Sequence, residues 1–258
     1  MSVRAKKHLG QHFLTDKSIC ERIAKQYTKS HDCNKVLEIG PGMGALTEYL
    51  LEMDLDLWAM EIDYDSVPYI QENFPAMKGK VIEADFLKAD LQTLMGDEPF
   101  AVVGNFPYNI SSQILFKCLE HRNQIPEIMG MFQKEVAERI AEPPGSKRYG
   151  ILSVLLQAYY NIEYCFTVNE NAFNPPPKVK SGVIRCIRNE RQSLPCDEKL
   201  FKAIIKMSFG QRRKTIRNSI KSLIKGKGLE HELLTLRPET LSVDQFVELT
   251  NIVAGVMD

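Results

Sequence analysis

The chain has 258 residues, of which 44% are apolar and 26% are charged, the values of an ordinary globular protein. Its apolar runs fall short of the roughly 20 residues that span a bilayer, and its basic N-terminus lacks the apolar core of a secretory signal, so we expect a cytoplasmic protein with no membrane partner. Six cysteines without a CxxC pair indicate free thiols, and we expect no metal site.

Basic residues are concentrated in two segments, although the net charge is zero. Residues 1–29 carry seven Lys or Arg against two acidic residues, and residues 185–227 carry thirteen against three. Charged runs are commonly plain solvated surface. A basic face on a neutral protein also suits phosphate binding, which makes nucleic acid a candidate partner.

The first part of the chain alternates short apolar runs with stretches of helical period, which predicts an α/β fold with a parallel sheet flanked by helices. Strands are predicted at Val36–Ile39, Leu55–Met60, Val81–Ile82, Phe100–Val103 and Ile128–Phe132, with a hairpin at about Glu163–Val168 and Val179–Arg188. Helices are predicted at about Ala45–Glu52, Ser66–Asn73, Lys134–Ala141 and Ile151–Tyr160.

Beyond about Arg191 the strand signals stop. Helices are predicted at Glu198–Met207, Gln211–Ile224 and Val243–Val253, and Ser242 with Gln245 forms a capping box before the last one. We therefore predict two domains, an α/β domain over 1–190 and a small all-α domain over 191–258.

A glycine-rich segment, Gly40-Pro41-Gly42-Met43-Gly44, follows the first strand and opens a helix. Glycines there let the backbone turn sharply and approach a ligand. Glu61 ends the second strand, where its carboxylate can accept both hydroxyls of a ribose. The same pattern fits the dinucleotide fingerprint, so an NAD- or FAD-binding protein is an alternative at this point.

Two further strand ends narrow the choice of ligand. Asp85 ends the third strand, where it can accept from an adenine amine, and Asn105 ends the fourth. Glu61 or Asp85 alone is often a strand-end cap or turn former. As an ordered set along consecutive strand ends, Glu61, Asp85 and Asn105 indicate a nucleoside-bearing cofactor.

Asn105-Phe106-Pro107-Tyr108 resembles the Asn/Asp-Pro-Pro-Tyr loop of enzymes that methylate exocyclic amines. Adenine N6 is a poor nucleophile because its lone pair is delocalised into the ring. The Asn105 side-chain oxygen and a backbone carbonyl at Phe106 or Pro107 can accept from its two N–H groups and direct the lone pair toward a sulfonium methyl. Pro107 fixes the loop, and Tyr108 offers a flat face to an extruded base.

The predicted helix Gln211–Ile224 combines an apolar stripe with a row of cations. Apolar residues at helical spacing predict a buried side: Ile216, Ile220, Leu223 and Ile224. Arg213, Arg217 and Lys221 repeat every four residues on the neighbouring arc, where they can contact phosphates.

Six segments resemble, in order along nearly the whole chain, the signatures of the KsgA-type small-subunit rRNA adenine dimethyltransferases. They are HLGQHFL at 8–14, EIGPG at 38–42, NFPYNIS at 105–111, QKEV at 133–136, FNPPPKV at 173–179 and FGQRRKT at 209–215. The resemblance implies a Rossmann-like class I methyltransferase fold with S-adenosylmethionine as cofactor. It also implies a monomer that dimethylates N6 of two adjacent adenines near the 3′ end of 16S rRNA in pre-30S particles, late in ribosome assembly.

The resemblance also implies roles for individual residues. The implied cofactor-binding set is His12, Leu14, Gly40, Gly42, Glu61, Asp85 and Asn105, with Glu38 as a charged support beneath the site. Tyr108 and Phe173 would bracket the target base, beside the catalytic Asn105 and Pro107. The expected RNA contacts are Arg212, Arg213, Lys214, Arg217 and Lys221. Two positions depart from the common motif: His12 stands where many relatives have Asn, and Phe106 where they have Leu or Ile.

Three other functions compete with this one. The related macrolide-resistance methyltransferases act on large-subunit rRNA, and the Phe173 loop and residues 211–214 favour the small-subunit type by resemblance. A non-enzymatic assembly factor is disfavoured by the intact Asn105 loop. A dinucleotide-dependent oxidoreductase would need a hydride-transfer site, for which we see no residues.

Overall fold

The computed structural model describes residues 3–257, and their contacts divide the chain into two compact units. The first contains the residues up to Ala137 together with Asn161–Arg188, and the second contains Glu138–Tyr160 together with the residues from Asn189 onward. The predicted domain boundary at 190 therefore lies close to a boundary between units. Residues 138–160 differ from the prediction, because they cluster with the second unit.

The strands of the described chain form a two-stranded sheet and a seven-stranded sheet. They are β1 Phe13–Leu14, β2 Lys35–Ile39, β3 Asp56–Glu61, β4 Val81–Glu83, β5 Ala101–Asn105, β6 Glu127–Gln133, β7 Tyr160–Val168, β8 Phe173–Asn174 and β9 Ser181–Arg188. The large sheet has the order β4-β3-β2-β5-β6-β9-β7, with β2 to β6 paired in parallel and β9 antiparallel to β6. The predicted α/β fold is confirmed.

The order of the strands determines where a ligand can bind. β3 and β4 lie on one side of β2, while β5 and β6 lie on the other. At such a point the connections leave neighbouring strands in opposite directions and open a crevice at their carboxyl ends. Glu61 and Asn105 are the last residues of β3 and β5, and Asp85 follows β4.

The helices of the first part of the chain are α1 Lys17–Ala24, α2 Thr47–Leu51, α3 Ser66–Asn73, α4 Leu91–Met95, α5 Ser111–Glu120 and α6 Lys134–Ala141. The sequence analysis did not predict α1, α4 or α5. Capping residues signal two of them, because Asp16 accepts from two backbone N–H groups at the start of α1 and Asp90 accepts from one at the start of α4.

The remaining helices belong to the second unit: α7 Ile151–Gln157, α8 Glu198–Gly210, α9 Ile216–Ser219, α10 Lys221–Ile224 and α11 Val243–Met257. α8 packs against α7, α9 and α11, which explains why residues 138–160 cluster here. The predicted capping box is confirmed, since Ser242 and Gln245 exchange hydrogen bonds of 2.9 and 3.2 Å. In the described part of the chain, no helix has both the length and the apolar character to cross a membrane.

The predicted single helix over Gln211–Ile224 is wrong. Residues 211–214 form a turn, Thr215 is extended, and Ile220 has φ −104° and ψ 19°, which separates α9 from α10. Of the four predicted apolar positions, 216, 220 and 224 are nevertheless buried, while Leu223 is half-buried. Because the helix is interrupted, Arg213, Arg217 and Lys221 do not share one helical arc.

Candidate active site

A cavity opens at the carboxyl ends of β2, β3 and β5, where the strand order predicts a ligand crevice. Its described walls come from residues 9–13, the glycine turn after β2, residues 60–62, residues 84–86 and the loop after β5. It brings together most of the predicted cofactor residues: His12, Gly40, Gly42, Glu61, Asp85 and Asn105.

The glycine turn needs its glycines for two reasons. Gly40 and Gly42 have φ values of 67° and 57°, which residues with a Cβ rarely adopt. A Cβ on Gly42 would also lie 2.8 Å from the ring of Phe13. The turn and the N-terminal segment therefore approach each other more closely than another residue would allow.

Glu61 is nearly fully buried at the end of β3, with its carboxylate at the cavity. One oxygen accepts from the Gly42 N–H at 3.1 Å and the other from the Asp63 N–H at 2.9 Å. Burial raises the pKa of Glu61, and the two backbone donors oppose that rise. A carboxylate has about four lone-pair sites, so both oxygens can still accept a hydroxyl from a ribose. The site therefore fits a ribose-bearing cofactor.

Glu38 lies beneath the glycine turn and is 2% exposed. The Thr47 hydroxyl donates to its Oε2 at 2.6 Å. Burial raises the pKa of Glu38 to about 7, with the Glu61 carboxylate adding to the rise and the Thr47 hydrogen bond opposing it. The resemblance implies a charged support at this position, and burial shifts the Glu38 carboxyl toward its protonated form.

Two apolar wall residues were missed by the sequence analysis. Ile62 directly follows Glu61, is 51% exposed and lines the cavity, and Phe86 lines it directly after Asp85. Each of them directly follows a carboxylate at or just after a strand end, and this position could have been used to predict them from the sequence. Together they offer an apolar contact to a flat ring held at the ends of β3 and β4.

The orientation of Asn105 is set by the N-terminal segment. Its Nδ2 donates to the backbone carbonyl of His12 at 2.9 Å. Since only the amide nitrogen can donate, the side-chain Oδ1 remains as an acceptor at the cavity. Asn105 thus presents an oxygen, the atom that an amine N–H requires.

Tyr108 is held at both ends. Its hydroxyl lies 2.5 Å from the buried Ser181 Oγ, and its ring stacks on the His12 imidazole with centroids 5.7 Å apart and planes 26° from parallel. His12 Nδ1 in turn donates to the Pro175 carbonyl at 2.8 Å. Burial raises the pKa of Tyr108, so the phenol stays neutral at ordinary pH.

Phe106 turns its ring into the core while its backbone stays in the loop. The ring is 1% exposed and packs edge-on against Phe132, with centroids 5.1 Å apart. It lies over Gly104 and Gly130, where an added Cβ would overlap it. The departure from the common motif at this position is thus accommodated by two glycines in neighbouring strands.

Ion pairs and a hydrogen bond hold the N-terminal segment against residues that follow β3, at the carboxyl edge of the sheet. The Lys6 ammonium pairs with Asp63 and, at 2.7 Å, with Asp65. Gln11 Nε2 donates to Asp63 Oδ2 at 3.0 Å. These contacts hold residues 9–13 as a wall of the cavity and hold the pKa of the Asp63 carboxyl below its usual range.

Two predicted site residues lie outside the described walls of the cavity. Phe173 is 4% exposed and Leu14 is also buried, and the two pair across the β1–β8 ladder within the core. The structure does not bring the Phe173 ring to the cavity. The ring that stacks on Tyr108 belongs to His12 and not to Phe173. From the sequence, His12 was expected only to bind the cofactor.

In the second unit, the five predicted RNA contacts fall into two groups. Arg212 donates to the Ser146 carbonyl, and Arg217 pairs with Glu230 at 2.7 Å and donates to the Leu229 carbonyl. The other three, Arg213, Lys214 and Lys221, are exposed. Across residues 3–257, no group of three or more His, Cys, Asp or Glu side chains is arranged to hold a metal ion.

The sequence matches the family model described as ribosomal RNA adenine dimethylase over residues 2–254. A relative from Flavobacterium johnsoniae named ribosomal RNA small subunit methyltransferase A is 57% identical over 96% of this chain and 95% of its own. A relative of the same name from Cytophaga hutchinsonii is 54% identical over 98% of both chains.

Two solved structures resemble the fold. A dimethyladenosine transferase from Plasmodium falciparum superposes with a TM-score of 0.78 at 24% identity, covering 95% of this chain and 98% of its own. The 23S rRNA methyltransferase ErmE gives 0.67 at 27% identity, covering 93% and 99%.

The raised pKa of Glu38 predicts a pH-dependent stability. Between its ordinary pKa of 4.5 and its folded pKa of about 7, the folded state binds more protons than the unfolded state. The free energy of unfolding should therefore fall as pH rises through this window, by about 3 kcal/mol in total. Glu38→Gln should lack this component. Urea denaturation of both proteins at pH 5 and pH 8 measures it, and parallel pH profiles would contradict the assignment.

The contact between the Phe106 ring and Gly130 predicts that a substitution at one position can offset the loss of stability caused by a substitution at the other. Gly130→Ala should cost about 1–3 kcal/mol of stability by overpacking, and adding Phe106→Leu should recover part of that loss because the ring is gone. Gly210→Ala is a control, since its new Cβ meets nothing within 4 Å. Denaturation of the four proteins of the cycle gives the coupling energy, and additive effects would rule out the contact.

Proposed function

The chain belongs to the ribosomal RNA adenine dimethylase family and depends on S-adenosylmethionine, and we propose that it methylates N6 of two adjacent adenines in the 3′-terminal hairpin loop of 16S rRNA. The relatives that are 53–57% identical are named small-subunit methyltransferases, whereas ErmE, named for 23S rRNA, is 27% identical. This difference supports the small-subunit substrate. We further propose that the enzyme works as a cytoplasmic monomer on pre-30S particles.

Cofactor binding is assigned to the crevice at the strand ends. We propose that Glu61 accepts the ribose hydroxyls and that Asp85 accepts from the adenine amine, with the ring between Ile62 and Phe86. Their common place on the cavity wall supports this assignment. The bound cofactor supplies an electrophilic methyl group on a sulfonium sulfur.

The observation that carries the proposal is the fixed orientation of Asn105. With Nδ2 engaged by the His12 carbonyl at 2.9 Å, Oδ1 is left to accept one N–H of the target amine. For the second N–H we favour the Phe106 carbonyl, because one of the two lone pairs of the Pro107 carbonyl already accepts from the Ile110 N–H at 3.1 Å. Two acceptors directed at one amine favour a tetrahedral nitrogen, whose lone pair is then available as the nucleophile. The proton leaves to solvent once the nitrogen is cationic.

The target base is assigned to the Tyr108 ring. Fixing the phenol through Ser181 and His12 lowers the entropic cost of holding a base against it. Phe173, buried beside Leu14, acts in this proposal through the β1–β8 ladder, which pairs residues 13 and 14 directly after His12. Of the basic residues in the second unit, the exposed Arg213, Lys214 and Lys221 are proposed to contact phosphates, while Arg212 and Arg217 stabilise that unit through their own hydrogen bonds.

Methyl transfer to small-subunit particles tests the substrate. Purified protein should transfer labelled methyl groups from S-adenosylmethionine to immature 30S particles that lack the modification, and nuclease digestion should give N6,N6-dimethyladenosine. Transfer to 23S rRNA instead would favour the macrolide-resistance activity. Binding to particles without transfer to either RNA would favour a passive assembly factor.

Asn105→Ala should abolish transfer while weakening cofactor affinity by about tenfold at most, or about 1.4 kcal/mol. The reason is that the variant removes an acceptor for the amine but leaves Glu61 and Asp85 in place. Single-turnover rates and calorimetric titration with S-adenosylmethionine measure the two effects separately. Asn73→Ala, an exposed site at the end of α3, serves as the control. Near-normal turnover in Asn105→Ala would refute the role of Oδ1.

A further inference from the structure

A second cavity of about 250 Å³ lies beside the first. Its described walls are Ala5, Lys7, Gly10, Gln11, His12 and Pro175. Gly10, Gln11 and His12 line both cavities, so this three-residue segment is the partition between them. Whatever occupies the second cavity therefore lies directly beside the cavity that contains Asn105 and Tyr108.

The partition is fixed from several directions. Gln11 donates to Asp63, the His12 ring donates to the Pro175 carbonyl, and the His12 backbone accepts from Asn105. The second cavity therefore shares with the first a wall that is held by hydrogen bonds. A recess of this kind can select what lies beside the target adenine.

The chemistry of its walls suits a nucleotide. The Lys7 side chain is exposed, and its ammonium has no hydrogen bond or ion pair among the described residues, whereas the ammonium of the adjacent Lys6 is held by Asp63 and Asp65. The described walls contain no carboxylate that would repel a phosphate. Pro175 and Gly10 add an apolar surface against which a base can pack.

We propose that the second cavity binds the nucleotide next to the target adenine, with its base against Pro175 and its phosphate at Lys7. This inference rests on the proposed function, in which the two target adenines are adjacent. While one adenine lies at Asn105, the other occupies the second cavity. The volume of about 250 Å³ lies below the roughly 300–1,000 Å³ of typical small-molecule pockets, so it suits the base of one nucleotide with its phosphate at the exposed Lys7.

The test is RNA binding with and without the neighbouring base. The probe is a fluorescein-labelled RNA hairpin whose loop carries two adjacent adenines, compared with the same hairpin in which one adenine is abasic. If the Asn105 site alone bound a base, losing one of two equivalent adenines would weaken binding by about twofold, the statistical factor. With a second base site, the wild-type protein should lose about fivefold or more, as expected when a packed base is removed.

Two variants test whether this loss of RNA affinity arises in the second cavity. Ala5→Trp, which fills the recess, should bind both hairpins with affinities within twofold, while its affinity for S-adenosylmethionine stays at the wild-type value. Lys7→Ala should lower the slope of log binding constant against log salt by about 0.7, the contribution of one single-strand phosphate. Lys78→Ala is the matched control, because Lys78 is exposed and precedes β4 at the opposite, amino edge of the sheet.

Methyl transfer to immature 30S particles is measured in parallel, so that the two proposals can fail separately. If the wild-type protein transferred no methyl groups to these particles, the proposed function would be wrong. Normal transfer combined with an abasic penalty of twofold or less would overturn the second base site. An unchanged salt slope in Lys7→Ala would overturn the phosphate contact.

Discussion

The hydrogen bond from the Asn105 amide to the His12 carbonyl joins parts of the chain that are 93 residues apart in sequence. One partner ends a central strand of the sheet, and the other belongs to a segment with little regular structure. The bond determines which atom of Asn105 faces the cavity, and it closes the cavity with residues 9–13. The proposed cofactor crevice, the proposed stacking face for the base and the proposed acceptor for the amine therefore depend on where the N-terminal segment lies.

The loop after β5 is held by contacts with residues outside it. The Phe106 ring is anchored over two glycines, the Tyr108 hydroxyl is anchored on Ser181, and the Tyr108 ring rests on His12. Each anchor comes from a different strand or segment of the first unit. A reaction that depends on aligning a weak nucleophile gains most from groups that are already in position, because no free energy is then spent on ordering them.

Sequence reasoning predicted Glu61, Asp85 and Asn105 at one edge of the sheet, because the carboxyl ends of parallel strands meet there. It could not predict that His12 covers Tyr108 or that Phe173 is buried beside Leu14, since both depend on how residues 12–14 pair with residues 173–175. The cation row at Arg213, Arg217 and Lys221 was wrong for a local reason: a break at Ile220 interrupts an apolar pattern that one continuous helix would also produce. The proposed preference for the Phe106 carbonyl over the Pro107 carbonyl rests on the turn bond from Ile110, which the sequence does not show.

The central claim is that Asn105 Oδ1 accepts from the target amine while Nδ2 stays on the His12 carbonyl. The most direct measurement is a high-resolution structure of the complex with S-adenosylhomocysteine and RNA carrying the target adenines. The account predicts N6 within hydrogen-bond distance of both Asn105 Oδ1 and the Phe106 carbonyl, with the Asn105–His12 bond intact. An Asn105 side chain that has left His12, or an N6 that contacts neither oxygen, would contradict it.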